Sequence, residues 1–113
     1  MSQVSVISTN PSSVLEDYSR SMHMIDYQSA FDKDTPVIIK LNLSWSLYYP
    51  ACSTEPWQLE GIIKTLRNDG YESITAMENK TVVTNVMKGV KNNLWSKILK
   101  KYNVDFVPLT DVE

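Results

Sequence analysis

Seven residues constrain the fold more than any others in the chain: Val37-Ile38-Ile39-Lys40-Leu41-Asn42-Leu43. The run is of strand length, rich in branched side chains and nearly continuous in apolar character. Strands of this kind belong to parallel sheets covered on both faces. A parallel sheet needs long crossover connections, usually helices, and helical patterns stand on both sides of this run. Upstream, Leu15, Tyr18, Met22 and Ile25 recur at three- and four-residue spacing after Asn10-Pro11, which reads as a helix start running to about Tyr27. Downstream, Leu59, Ile62, Ile63 and Leu66 form a second stripe, with Ser53 or Thr54 as its cap, Pro56 in its first turn and Gly70 as a left-handed stop.

Further strands are expected where short alternating or branched runs occur. Gln3–Ser8 reads as the first strand, with Val4 and Val6 alternating with polar residues; Ser73–Met77 and Asp105–Leu109 read as the third and last. Leu94, Trp95, Ile98, Leu99 and Tyr102 mark a third helix with Asn93 as a cap, whereas residues 78–93 are polar and fit neither pattern. The expected element order is βαβαβαβ. That alternation implies a single domain over residues 1–113, a three-layer α/β/α Rossmann-like fold on a mostly parallel four-stranded sheet. Ligands of open α/β sheets sit at the carboxyl ends of the strands, here residues 8–10, 42–55, 78–85 and 109–113.

At 113 residues and 12.9 kDa, the chain is long enough for one modest core. Charged residues make up 21% and the net charge is −2, which argues against a polyanion binder that works through overall charge. One cysteine cannot form an internal disulfide or a four-cysteine metal centre, and one histidine argues against a histidine-rich one. The amino terminus lacks the basic and apolar regions of a signal peptide, and no apolar run approaches the ~18 residues that span a bilayer. The expectation is a cytoplasmic protein without a membrane partner and without a cofactor.

Lys40 and Asn42, two apart, point to one face of their strand near its carboxyl end. Lys40 meets an anionic ligand there while Asn42 orients it, or else Lys40 pairs with an acid such as Glu78 or lies on an edge strand. The loop Ser44–Thr54 packs Trp45, Tyr48 and Tyr49 into five residues, a composition common in binding loops. Ser53 and Thr54 precede a helix amino terminus that favours phosphate or carboxylate, or they simply cap that helix. Cys52 is a candidate nucleophile in the same place, or a small buried apolar residue, with His23 too far along the first helix to be a convincing partner. Glu78, after the third strand, touches a ribose or a positive group, or belongs to a solvated turn.

Lys88, Lys91, Lys97, Lys100 and Lys101 place five of the eleven basic residues in fourteen positions without an acid, interleaved with Trp95 and Tyr102. This is a nucleic-acid footprint or the wet face of an amphipathic helix. The first 35 residues carry five acids and two bases, so opposite ends of the chain could also pair within or between copies. Three functions follow from these readings: binding of a small anion at the carboxyl edge, non-catalytic oligomerisation or protein interaction through Trp45, Tyr48, Tyr49 and Trp57, and binding of nucleic acid through residues 88–101. A homo-oligomer is expected under the second and is compatible with the first.

The run 37–43, followed by Cys52-Ser53-Thr54-Glu55-Pro56 and the helix that leads to Gly70, resembles the amino-terminal part of the domain-of-unknown-function family 362. The likeness is strongest over residues 36–79. Lys40, Asn42, Leu43, Ser53, Thr54, Pro56 and Gly70 match its pattern, whereas Leu41 replaces the usual proline. The resemblance implies no settled activity. Some members carry iron–sulfur clusters, and this chain has no cysteine set to hold one.

Overall fold

A computed structural model describes residues 2–79 and 85–109 of the chain. The elements run α1 (Val14–Met24), a 3-10 turn (Tyr27–Ser29), β1 (Val37–Lys40), α2 (Pro56–Asn68), β2 (Ile74–Glu78), α3 (Val86–Asn92), α4 (Trp95–Tyr102) and β3 (Asp105–Pro108). The strands form a wholly parallel sheet in the order β1-β2-β3. Mixed α/β architecture with a parallel sheet is therefore as expected. The four-stranded, three-layer Rossmann-like layout is not what the described residues adopt.

The first difference lies at the amino terminus. Residues 3–8 form no strand, and Val4 and Val6 are 84% and 86% exposed. Alternation makes a strand only when a neighbouring strand takes its backbone bonds and a core takes one face, and here the segment lies instead against α1, through a Ser5–Ser21 hydroxyl contact of 2.6 Å and a hydrogen bond from Thr9 to Asp17 of 2.7 Å. Asn10 does not cap the helix. It closes a turn before it, with its Oδ1 accepting from the Ser12 backbone at 3.0 Å and its carbonyl accepting from the Ser13 N–H at 3.1 Å.

The second difference is the number of layers. Both crossovers, through α2 and through α3–α4, step in the same direction along the sheet. Right-handed connections then put their helices on the same face. Burial agrees. Val37, Ile39, Ile74, Ala76 and Phe106, on one face, join the core with Leu59, Ile63, Leu66 and Leu99, while on the other face Ile38 is 62% exposed and Lys40 and Asp105 are also exposed. β1 is thus an edge strand in a two-layer arrangement, not a central strand covered on both sides. α1 packs along α2 on the helical side, where Tyr18 lies against Gly61.

Helix ends show why the remaining elements fall where they do. α2 is capped by Glu55, whose N–H donates to the Gln58 side chain at 2.8 Å, rather than by Ser53 or Thr54. It ends at Gly70, whose φ of +92° lets the Tyr71 N–H reach back to the Leu66 carbonyl at 2.9 Å. The polar stretch before Leu94 contains α3, capped by the Asn85 side chain accepting from the Lys88 N–H at 2.9 Å. Asn93 therefore ends α3 instead of starting α4. Its amide donates to the Gly89 carbonyl at 3.0 Å, and left-handed Leu94 turns the chain into α4. Among the described residues no helix is long and apolar enough to cross a membrane.

Candidate functional site

The carboxyl ends of β1 and β2 are tied together by a buried carboxylate. Glu78, 4% exposed, accepts from the Lys40 ammonium, from the Leu43 N–H and, at 2.6 Å, from the Asn79 N–H. Lys40 also donates to the Leu41 carbonyl. Two backbone amides and an ammonium converging on one point make an anion site, and in this molecule Glu78 supplies the anion. Both alternatives to ligand binding that the sequence offers for Lys40, pairing with Glu78 and a place on an edge strand, describe where it sits.

Beyond the strand end, the loop is laced to itself. The Asn42 N–H donates to the Thr54 hydroxyl and the Thr54 N–H to the Asn42 carbonyl, each at 2.9 Å. The Ser44 N–H donates to the Ser53 hydroxyl at 3.2 Å, and the Asn42 amide to the Ser44 hydroxyl at 3.2 Å. Ser53 and Thr54 are thus clips across the base of the loop. Each uses an oxygen lone pair there and keeps its own O–H proton as a donor. The α2 amino terminus faces the carboxylate of Glu55, which accepts from the Ala51 N–H at 2.8 Å and from the Tyr48 hydroxyl at 3.3 Å. Partial desolvation of the hydroxyl, and then that negative charge, push the Tyr48 hydroxyl pKa up.

The aromatics expected to act together do not all meet. Trp45, Tyr48 and Tyr49 are exposed on the loop, beside exposed Leu47. Trp57 packs its ring on Tyr18 of α1, with centroids 6.2 Å apart. Ser46 fastens the loop to α3: its hydroxyl accepts from the Asn85 N–H at 2.7 Å, and its carbonyl accepts from the Asn92 side chain at 2.8 Å. Cys52 is partly buried, with its N–H on the Tyr49 carbonyl at 3.2 Å. It precedes α2, whereas His23 pairs with Asp69 at the far end of that helix at 2.6 Å. Thirteen helical residues separate them by about 20 Å, so a Cys52–His23 dyad does not form.

Of the lysine-rich segment, Lys88, Lys91, Lys97, Lys100 and Lys101 are all exposed. Trp95, however, is fully buried and donates its indole N–H to the Thr54 carbonyl at 2.7 Å. Lys101 and Tyr102 both donate to Glu60, at 2.5 and 3.0 Å. Trp95 is therefore out of reach of a base, and Tyr102 is half-buried with its hydroxyl tied to Glu60. Residues 80–84 and 110–113, part of the expected carboxyl-edge segments, lie outside the described residues. Among the described residues no group of three or more His, Cys, Asp or Glu side chains is placed to hold a metal ion.

Sequence reasoning missed two features. One is the sheet face that no helix among the described residues covers. Strand register sets Ile38, Thr75 and Asp105 in one row and Lys40, Met77 and Val107 in the next. The signal was present in Lys40, a charge on a run otherwise apolar through Leu41. The other is a polar cluster in which His23 and the Tyr27 hydroxyl share Asp69 Oδ2, at 2.6 and 2.5 Å, beside the packed rings of Tyr27, Phe31 and Tyr71. Burial and the Asp69 contact push the Tyr27 hydroxyl pKa far up. No spacing along the chain announces a contact made across forty residues. Compared with protein-family models, curated proteins and solved structures, the chain matches none.

Proposed function

We propose that this chain is a non-catalytic assembly module that pairs with a second copy of itself through the open face of its sheet. The observation that carries the reading is the composition and layout of that face. Ile38, 62% exposed, and the half-buried Met77 and Val107 provide its apolar surface, and Lys40 and Asp105 occupy opposite corners. The corners are separated by two strand spacings across the sheet and two residues along it, about 10 Å by about 7 Å. A two-fold axis lying in the interface along the Ile38–Val107 diagonal would set Lys40 of each copy over Asp105 of the other and Ile38 against its own equivalent. The strands of the two sheets would then cross near a right angle, a known mode of sheet packing, in an isologous contact.

The direct test is sedimentation velocity over a concentration series, with Asp105→Lys as the variant. A concentration-dependent dimer that Asp105→Lys weakens by tenfold or more supports the reading. A wild type that stays monomeric at several hundred micromolar, or a dimer indifferent to Asp105→Lys, overturns it.

A second reading keeps a small anion at the carboxyl edge, with Lys40, Asn42, Ser53 and Thr54 as its contacts and Trp45 and Tyr48 over it. What supports it is that the Lys40 side chain, although paired, is 54% exposed. Loss of anion binding in Lys40→Ala with the fold retained would favour it, and the absence of any anion-induced chemical shift would remove it. The resemblance of residues 36–79 to family 362 brings no activity with it and does not choose between the two.

A further inference from the structure

Away from the sheet, the amino-terminal segment, α1 and the first turn of α2 border an open groove of about 410 Å³, a size typical of small-ligand sites. Its walls are Val6, Ile7 and Val14 together with the rings of Tyr18 and Trp57, and Asp17 lies among them. The two rings stand 6.2 Å apart at 57° to one another and so form a corner, not a stack. The segment that borders the groove is fastened at two points, Ser5 to Ser21 and Thr9 to Asp17.

Asp17 decides the class of ligand. Its Oδ2 accepts from Thr9 at 2.7 Å and from Ser13 at 2.6 Å, and its Oδ1 pairs with Arg20 at 2.9 Å. The hydroxyls of Ser13 and Thr9 hold its carboxyl below the usual aspartate range, so the group is an anion at neutral pH. Arg20 approaches from outside: its side chain is 61% exposed and lines the neighbouring hollow beside His23 and Lys64. Three donors leave the Asp17 carboxylate about one of its four acceptor sites, too few for the three N–H groups of a primary ammonium. An anion would meet the Asp17 charge. A quaternary ammonium carries its charge on methyl groups and donates no hydrogen bond, so it loses nothing at a carboxylate already engaged. Apolar walls suit its methyls, and the faces of Trp and Tyr attract such cations.

We propose that the groove between the amino-terminal segment and the Tyr18–Trp57 corner binds a trimethylammonium group. The group could arrive on a free molecule or on a lipid headgroup. Titration of the isotope-labelled protein with choline chloride, with its neutral isostere 3,3-dimethyl-1-butanol, and with phosphatidylcholine vesicles separates the cases. Shifts of the Trp57 indole and Tyr18 resonances with choline, at least tenfold weaker binding of the neutral isostere, and about tenfold loss in Trp57→Leu are expected, a factor of the size that cation–π contact contributes. Binding to choline assigns the free molecule, and binding to vesicles assigns the headgroup. Trp57 is exposed at the start of α2, and retention of the wild-type melting temperature in Trp57→Leu makes its loss of binding a statement about the groove. Equal binding of the neutral isostere overturns the proposal. So does the absence of shifts with both vesicles and choline at tens of millimolar.

Discussion

Glu78 is the residue on which the carboxyl edge depends. Its carboxylate answers an ammonium and two backbone amides while almost fully buried. Glu78→Ala strands the Leu43 N–H without its acceptor, while the half-exposed Lys40 ammonium turns to water, so the loss read in urea unfolding should be about 1–3 kcal/mol. Replacing both partners, as in Lys40→Met with Glu78→Leu, should not recover the loss, because the Leu43 N–H is left without its acceptor at a cost of about 1–3 kcal/mol. Full recovery in the double variant would mean that the carboxylate serves Lys40 alone. Asp17 gives a pH-dependent counterpart. Its carboxyl is more acidic in the folded chain than in the unfolded one, held so mainly by the Ser13 and Thr9 hydroxyls. The stability it contributes is present above the ordinary value of about 4 and is lost as pH falls through the lower folded value. Asp17→Asn should therefore cost stability at pH 7 and progressively less as the solution is acidified below pH 4, read as converging urea midpoints. Midpoints that keep a constant separation would contradict this. At this scale the sequence was legible where partners have opposite charge and few alternatives, as with Lys40 and Glu78. It was not legible for Ser53 and Thr54, because hydroxyls that cap a helix and hydroxyls that clip a loop look identical in the chain.

Elements follow the same logic one step up. α1, α2, β1, β2, α4 and β3 all lie close to where apolar spacing puts them, because each has its own apolar face, although of the end signals Pro56 and Gly70 alone fall where expected. The amino-terminal strand was misread because Val4 and Val6 alternate without a sheet edge to join. α3 was passed over because its seven residues, with Val86 and Val90 buried and Met87 exposed, are too few to show a periodic stripe. Helix contacts are closest at two glycines. A Cβ on Gly61 would stand 2.7 Å from Cγ and Cδ2 of Tyr18, atoms at the root of a ring held between helices. One on Gly89 would meet the terminal methyls of Leu43 at 2.5 and 2.7 Å. The ring root cannot swing aside, whereas methyl ends can rotate. Gly61→Ala should thus lose about 1–3 kcal/mol, partly offset by the better helix propensity of alanine, and Gly89→Ala should lose less. Melting temperatures of the two variants give the comparison, and a larger fall for Gly89→Ala would reverse the assignment.

At the scale of the whole molecule, the sheet face that no helix among the described residues covers is the dominant fact. Helices on one side bury Ile74, Ala76 and the inward residues of β1, while the other side offers Ile38, Met77 and Val107 framed by Lys40 and Asp105. A strand as apolar as residues 37–43 reads as buried on both faces, and that expectation fails in the single chain because nothing among its described residues lies over Ile38. The sequence holds the apolar demand without naming what satisfies it. The account proposed here is that a second copy does. The measurement that tests it most directly is the oligomeric state, by sedimentation velocity, of three proteins side by side: the wild type, Ile38→Glu, and the loop variant Trp45→Ser with Tyr49→Ser. The account predicts a dimer for the wild type, a folded monomer for Ile38→Glu and an unchanged dimer for the loop variant. A dimer that survives Ile38→Glu, or one that disappears in the loop variant alone, would contradict it.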